Sequence, residues 1–222
     1  MNPASEKFFH PEIVNIKNPD ILNNLNKIKD SILQAEIKGE PSLGKPYDET
    51  NCLSDEFCDD LVAQGSKHSG YPPPGTEWVY SVLQETNTIR MSNETYEFFH
   101  ESHIELQYQI TCNHQALIGY YPPQGFIGWH NNANAGGYVV LFTWSETGEG
   151  HFLYRDENNK TVKVPDKPGW CAKMLYFPHH HETEKQKFYH AAYTDCRRIS
   201  LGFRFMDERA LWQEAKEAIM YE

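Results

Sequence analysis

After about residue 104 the chain becomes a succession of short segments rich in aromatic and β-branched residues, each closed by turn chemistry, and that spacing leaves few folds open. The segments are Leu106–Cys112, Ala116–Tyr121, Gly137–Trp144, His151–Tyr154, Thr161–Val164, Cys171–Phe177, Lys187–Tyr193 and Arg198–Phe205. Between them stand Cys112-Asn-His, Glu146-Thr-Gly, Asp156-Glu-Asn-Asn and Pro165-Asp-Lys-Pro-Gly, whose residues favour turns and interrupt strands. About eight short strands at this interval predict a mostly β fold of two sheets packed face to face, a jelly roll or double-stranded β-helix.

Before that region the periodicity is helical. Ile21, Leu22, Leu25, Ile28, Ile32 and Leu33 predict an amphipathic helix over residues 18–38, stopped by Gly39 and Pro41. A second helix starts at the Ser54 cap with Asp55 and Glu56 in its first turn and ends near Gly65. Tyr71-Pro-Pro-Pro-Gly75 reads as an extended surface turn, and residues 92–104 as a third helix opened by Ser92. A last helix from Asp207 carries Leu211, Trp212, Ala215, Ala218 and Ile219 on one stripe. The expectation is one domain over residues 1–222: helical support in 1–104, a β-barrel core in 105–205 and a C-terminal helix in 206–222.

A formal charge of −11 argues against nucleic acid as partner, because nonspecific binding to it depends on neutralising phosphates. The five cysteines form no Cys-x-x-Cys pair and read as thiols of a reducing compartment. The first residues lack the apolar run of a secretion signal, and no segment has the ~20 apolar residues that span a bilayer. The chain is expected to be cytoplasmic and off the membrane. Nothing in it fixes an oligomeric state.

The residues that bear chemistry lie in a fixed order: Tyr121, then His130-Asn-Asn132, then Tyr189-His190, then Arg198-Ile-Ser200. A non-haem iron site needs three ligands on one face of an octahedron, commonly two imidazoles and a carboxylate. Positions i and i+2 of a strand point the same way, so His130 and residue 132 reach one ion. Arg198 and Ser200 share a strand face by the same rule. A guanidinium fork pairs with a carboxylate, and a hydroxyl adds another hydrogen bond.

Over residues 117–205 this order resembles that of the 2-oxoglutarate, Fe(II)-dependent oxygenases. The resemblance implies His130, Asn132 and His190 as metal ligands. It implies Arg198 and Ser200 as the pair that binds the far carboxylate of the co-substrate 2-oxoglutarate. Arg198 through Arg204 also looks like the arginines six apart in the nucleic-acid dealkylating branch, whose tyrosine nine residues before the first histidine matches Tyr121 as a co-substrate contact. Gly119 replaces the asparagine that precedes that tyrosine, so the branch's substrate is not carried over. Arg204 has the parity of Arg198 and either faces the pocket or makes an outer ion pair, whereas Arg197 should be solvated. The implied function is hydroxylation of a small polar molecule, amino acid or peptide.

Asn132 departs from the family's Asp or Glu, and three readings stay open. Its carbonyl coordinates iron in a hydroxylase with a loosened site; or it stands back and leaves a position for chloride, as in halogenating relatives; or the barrel is a non-catalytic binding domain. Asp156 and Asp195 are substitute carboxylates, although turn roles suit both better. His179-His-His181 reads as a polar loop, Trp129 as a pocket wall beside His130, and Asn131 and Asn134 as flanking residues that bind substrate or hold a turn.

Overall fold

The computed structural model describes residues 10–37, 52–64, 80–81, 89–90, 92–112, 114–182 and 184–222. In chain order the first elements are β1 (Glu12–Val14), α1 (Pro19–Gln34), β2 (Glu36–Ile37), α2 (Asp55–Ala63), β3 (Tyr80–Ser81), β4 (Ile89–Arg90) and α3 (Asn93–Gln109). The β-rich region follows as β5 (His114–Tyr121), β6 (Phe126–His130), β7 (Gly137–Ser145), β8 (Gly150–Arg155), β9 (Thr161–Pro165), β10 (Gly169–Phe177), β11 (His190–Thr194) and β12 (Arg198–Arg204). Helix α4 (Arg209–Met220) closes the chain.

The strands form a six-stranded sheet in the order β1-β10-β7-β12-β5-β3 and a four-stranded sheet in the order β6-β11-β8-β9, with β2 and β4 paired apart. All these pairings are antiparallel. Apart from the β8–β9 hairpin, successive strands from β5 to β12 alternate between the two sheets. The fold is therefore mostly antiparallel β with supporting helices.

Alternation along the strands sorts the side chains into layers. Val140, Phe142, Met174, Ile199, Leu201 and Phe203 point away from the smaller sheet into one core with Ile21, Leu25, Ile28 and Ile32 of α1, Phe99 and Leu106 of α3, and Trp212 and Ile219 of α4. The opposite face of the large sheet puts Val139, Leu175 and Phe177 against Phe152 and Tyr154 of β8. Behind the small sheet, Cys58 and Leu61 of α2 cover Trp129, Leu153 and Ala191. Side-chain caps open the first three helices: Asn18 Oδ1 accepts from the amides of Asp20 and Ile21, Ser54 from Phe57, and Ser92 from Thr95.

Three sequence expectations need correction. Residues 106–109 are helix, because α3 runs on to Gln109 and buries Leu106 one turn after His103; Thr111 at φ 54° then turns the chain. Packing at helical spacing overrides the aromatic content there. Strand β6 is missing from the segments expected to be strands, although strand geometry is expected at His130: Phe126-Ile-Gly-Trp-His is buried throughout, so it lacks the polar alternation that marks a half-buried strand. The β11 strand begins at His190 and not at Lys187. The Tyr71–Gly75 turn lies outside the described residues. No described helix is long and apolar enough to cross a membrane.

One buried histidine gives a pH-dependent stability. His103 lies between the rings of Phe99 and Phe203, at 6.0 and 5.4 Å, and its Nε2 has no hydrogen-bond partner. Burial, helped by the charge of His100, holds its pKa down to about 4, against 6.5 ordinarily. As pH falls below 6.5 the unfolded chain takes up this proton first, so folded-state stability is lost down to about pH 4. At about 1.4 kcal/mol per unit, the loss is on the order of 3 kcal/mol. Urea titrations from pH 7 to 4 should show His103→Leu losing less stability than wild type over that window; equal losses would mean that the imidazole is solvated.

Candidate active site between the two sheets

His130 ends β6 and His190 begins β11, and the antiparallel register makes the two residues cross-strand partners. Residues far apart in sequence thus lie side by side, with ring centroids 4.1 Å apart. Each ring places Nδ1 on a carbonyl two residues back, His130 on Gly128 O at 2.8 Å and His190 on Phe188 O at 3.1 Å. Carbonyls only accept, so both Nδ1 atoms carry a proton, and in the neutral ring this leaves the lone pair on Nε2, the tautomer of a metal ligand. Asn132, just past β6, brings its amide within 3.3 Å of His190 Nε2. An amide presents its oxygen at that point by turning about its last bond.

Around His190 the structure builds an apolar surround. Phe177 stacks on the ring at 4.9 Å, with Phe188 at 5.6 Å and Phe152 at 5.7 Å. Burial there, reinforced by the neighbouring His130, holds the His190 pKa well below its ordinary value. The imidazole is then neutral at neutral pH, the form that ligates a metal.

Arg198 starts β12 at the other end of the same space, opposite Tyr121 of β5 and Ser145 of β7. It is buried, and its guanidinium lies 5.1 Å from the Tyr121 ring centroid. Its Nε donates to Asp166 at 2.8 Å and its Nη1 to Ser200 Oγ at 2.7 Å. The third nitrogen, Nη2, is buried without a hydrogen-bond partner. Burial pushes the Asp166 carboxyl up, but the Arg198 and Lys173 cations outweigh it and hold the pKa below the usual value.

One cavity of about 400 Å³ connects these groups, and Tyr121, His130, Asn132, His190, Arg198 and Ser200 all line it. Val139, Leu141, Phe152, Leu175 and Phe177 form apolar walls. Arg204 also faces inward, at the end of β12 remote from Arg198, and its Nε is buried without a partner. The parity of Arg204 with Arg198 thus leads to the cavity and not to an outer ion pair. Arg197 points outward and pairs with Glu146.

Other candidates lie elsewhere. Asp156 accepts from the amides of Asn158 and Lys160 in a turn, and Asp195 accepts from the Tyr193 hydroxyl at the surface. His179 meets Asp207 at 3.1 Å. Trp129 is a correction: it points away from His130 into the layer under α2, where its Nε1 donates to Leu53 O. Asn131 accepts from the Ala133 amide and holds the turn, whereas Asn134 lines the cavity. The sequence reading missed the Phe surround of His190 and the Asp166–Lys173 pair behind Arg198. Lys173 did carry a signal, because it shares the parity of Leu175 and Phe177 and a buried ammonium demands a counter-ion.

The donors available to a metal are two imidazole nitrogens and an amide; among the described residues no group of three His, Cys, Asp or Glu side chains comes together to hold an ion. Two imidazole nitrogens on one cavity fit a divalent transition metal, and the amide supplies an oxygen but no charge.

No family model matches the chain, and no curated protein does. Among solved structures it is similar to a Pseudomonas putida prolyl-4-hydroxylase, at 10% identity over 91% of this chain and 94% of that one, TM-score 0.42. It is also similar to OsALKBH1, at 16% identity over 89% and 99%, TM-score 0.39. A third is an oxidoreductase of the 2OG-Fe(II) oxygenase family from Burkholderia pseudomallei, at 11% identity over 69% and 80%, TM-score 0.32.

Proposed function

We propose that the chain is a 2-oxoglutarate- and Fe(II)-dependent oxygenase, a single domain whose strands β5–β12 form a double-stranded β-helix buttressed by the helices. The observation that carries the reading is the pairing, in one cavity, of two in-register imidazoles with a buried arginine that keeps an unpartnered N–H. His130 and His190 would hold the iron through Nε2, with the Asn132 amide oxygen as third ligand. Arg198 Nη2, the Ser200 hydroxyl and Tyr121 would hold the distal carboxylate of 2-oxoglutarate. When bound, the two supply oxygen activation coupled to decarboxylation of the co-substrate.

The chain's own contribution is placement and exclusion. Carbonyl contacts on both Nδ1 atoms fix the imidazole planes, and the Phe residues keep His190 neutral and water away from it. A cavity of about 400 Å³ is in the ~300–1,000 Å³ range of small-molecule sites, enough for the co-substrate and a small polar substrate, amino acid or peptide end. Gln115, Asn134 and Arg204 are the remaining polar residues of the lining, available to meet that prime substrate.

The test is spectroscopic. Anaerobic mixing of the protein with Fe(II) and 2-oxoglutarate should give a visible charge-transfer band, and Arg198→Ala should abolish it at matched concentrations. No band in wild type would leave a ligand-binding role for the cavity and end the oxygenase reading. Asn132→Asp should tighten Fe(II) binding roughly 10-fold or more, since a carboxylate adds a charged donor where the amide is neutral. Unchanged affinity in a metal titration would mean that residue 132 does not touch the ion.

A further inference from the structure

Arg198 is held more elaborately than a carboxylate-binding arginine requires. A guanidinium fork offers a ligand two parallel N–H groups, either Nε with one Nη or the two Nη together. Here Nε is taken by Asp166 and Nη1 by Ser200, so Nη2 is the nitrogen left for the ligand. Because Ser200 Oγ accepts from Nη1, its own proton is left to point elsewhere, and the cavity that Ser200 lines is where an anion would take it.

Asp166 is itself fixed. Its second oxygen lies 3.6 Å from Lys173 Nζ, which donates to Thr143 Oγ1 at 3.1 Å. Its backbone amide donates to Gly150 O at 2.9 Å, and a Cβ on Gly150 would sit 2.9 Å from its Oδ2. The glycine thus leaves the space that the carboxylate fills on its way to Arg198. Asp166 does not line the cavity, and the cluster of Arg198 and Lys173 against Asp166 carries one positive charge more than it balances. Such an excess in a buried place calls for an anion.

We propose that Asp166 is a positioning residue for the distal-carboxylate site: seated against Gly150 and Lys173, it locks Arg198 so that the unpartnered Nη2 and the Ser200 hydroxyl meet the ligand. This rests on reading the cavity as a 2-oxoglutarate site. Arg198 would keep its charge without Asp166 but lose its aim, and a misplacement of about 1 Å is enough to weaken such a contact severely.

The test titrates 2-oxoglutarate calorimetrically into Mn(II)-loaded protein, with circular dichroism as the check on folding. Asp166→Ala should weaken binding about tenfold or more, the size of effect expected when a charge-assisted hydrogen bond is misaligned. Asp166→Asn, whose amide oxygen still accepts from Nε, should stay within about threefold of wild type. Gly150→Ala keeps every charge but sets a Cβ 2.9 Å from Asp166 Oδ2 and 3.0 Å from Thr194 Oγ1 and Tyr193 O, and since the carboxylate is the nearest of the three to give way, it should resemble Asp166→Ala even if that variant fails to fold. In an Arg198→Ala background neither change should cost further affinity. Asp166→Ala or Gly150→Ala within twofold of wild type, Asp166→Asn as weak as Asp166→Ala, or a loss that persists without Arg198 would each overturn the proposal alone. No binding to the wild-type chain overturns it together with the oxygenase reading.

Discussion

Replacing His190 with alanine should abolish stoichiometric binding of Fe(II), or of Mn(II) as its redox-silent substitute, while the fold persists. The site offers two imidazole nitrogens and an amide, and among the described residues no group of three His, Cys, Asp or Glu side chains stands by to compensate. Loss of an outer-sphere partner costs a metal site roughly 10–100-fold in affinity, and removal of a nitrogen ligand from so sparse a set should exceed that. The ring also fills the space between Phe177, Phe188 and Phe152, so the alanine leaves a cavity and lowers stability somewhat. His190→Gln fills most of that volume and separates the effects: it should restore stability without restoring tight metal binding. Competition against a chelator checks both variants. A His190→Ala protein that still binds one equivalent tightly would show that the ion sits elsewhere.

How the chain reveals this site differs from residue to residue. His130, His190, Arg198 and Ser200 were legible because order and i, i+2 parity survive folding: a strand that presents Arg198 to the cavity must present Ser200, Gly202 and Arg204 to the same side. Strand β6 was opaque because both its faces are covered, one by the opposing sheet and one by α2, so no alternation marks it. The same two-sided cover misdirects Trp129, which neighbours His130 in sequence and therefore faces the other way. Asp166 sits in Pro165-Asp-Lys-Pro-Gly, where turn chemistry is sufficient reason for an aspartate. Its ion pair with Arg198 joins residues 32 apart across a sheet junction, and no local pattern encodes that. Leu106–Cys112 failed for a complementary reason: aromatic and β-branched content is a weak preference, and the burial of Phe99, His103 and Leu106 on one helical stripe outweighs it.

The largest stability effect should come from Trp212→Ala in α4, far along the chain from any ligand. Trp212 is almost fully buried, packs on Tyr138 with ring centroids 5.0 Å apart, and donates Nε1–H to Val139 O at 3.0 Å. Truncating a buried tryptophan costs about 3–5 kcal/mol, and the lost hydrogen bond to Val139 O adds to it. For a chain of this size that is a melting temperature lower by roughly 6–20 °C. The loss should reach the site, because α4 is tied to the start of β7: Tyr138 exchanges backbone hydrogen bonds with Met206 and Phe205 at 2.8 Å, and Val139 is a wall of the cavity. Gly137 allows this closeness at φ 118°, where a Cβ would lie 2.4 Å from Met206 O. Co-substrate affinity should therefore fall less than stability, since Arg198 stands at the other end of β12 from the residues opposite Val139. Thermal melts and 2-oxoglutarate titration at 10 °C measure the two effects separately. A Trp212→Ala protein within about 1 kcal/mol of wild type would mean that α4 docks without supporting the sheet, since truncation in a packed core costs more than that.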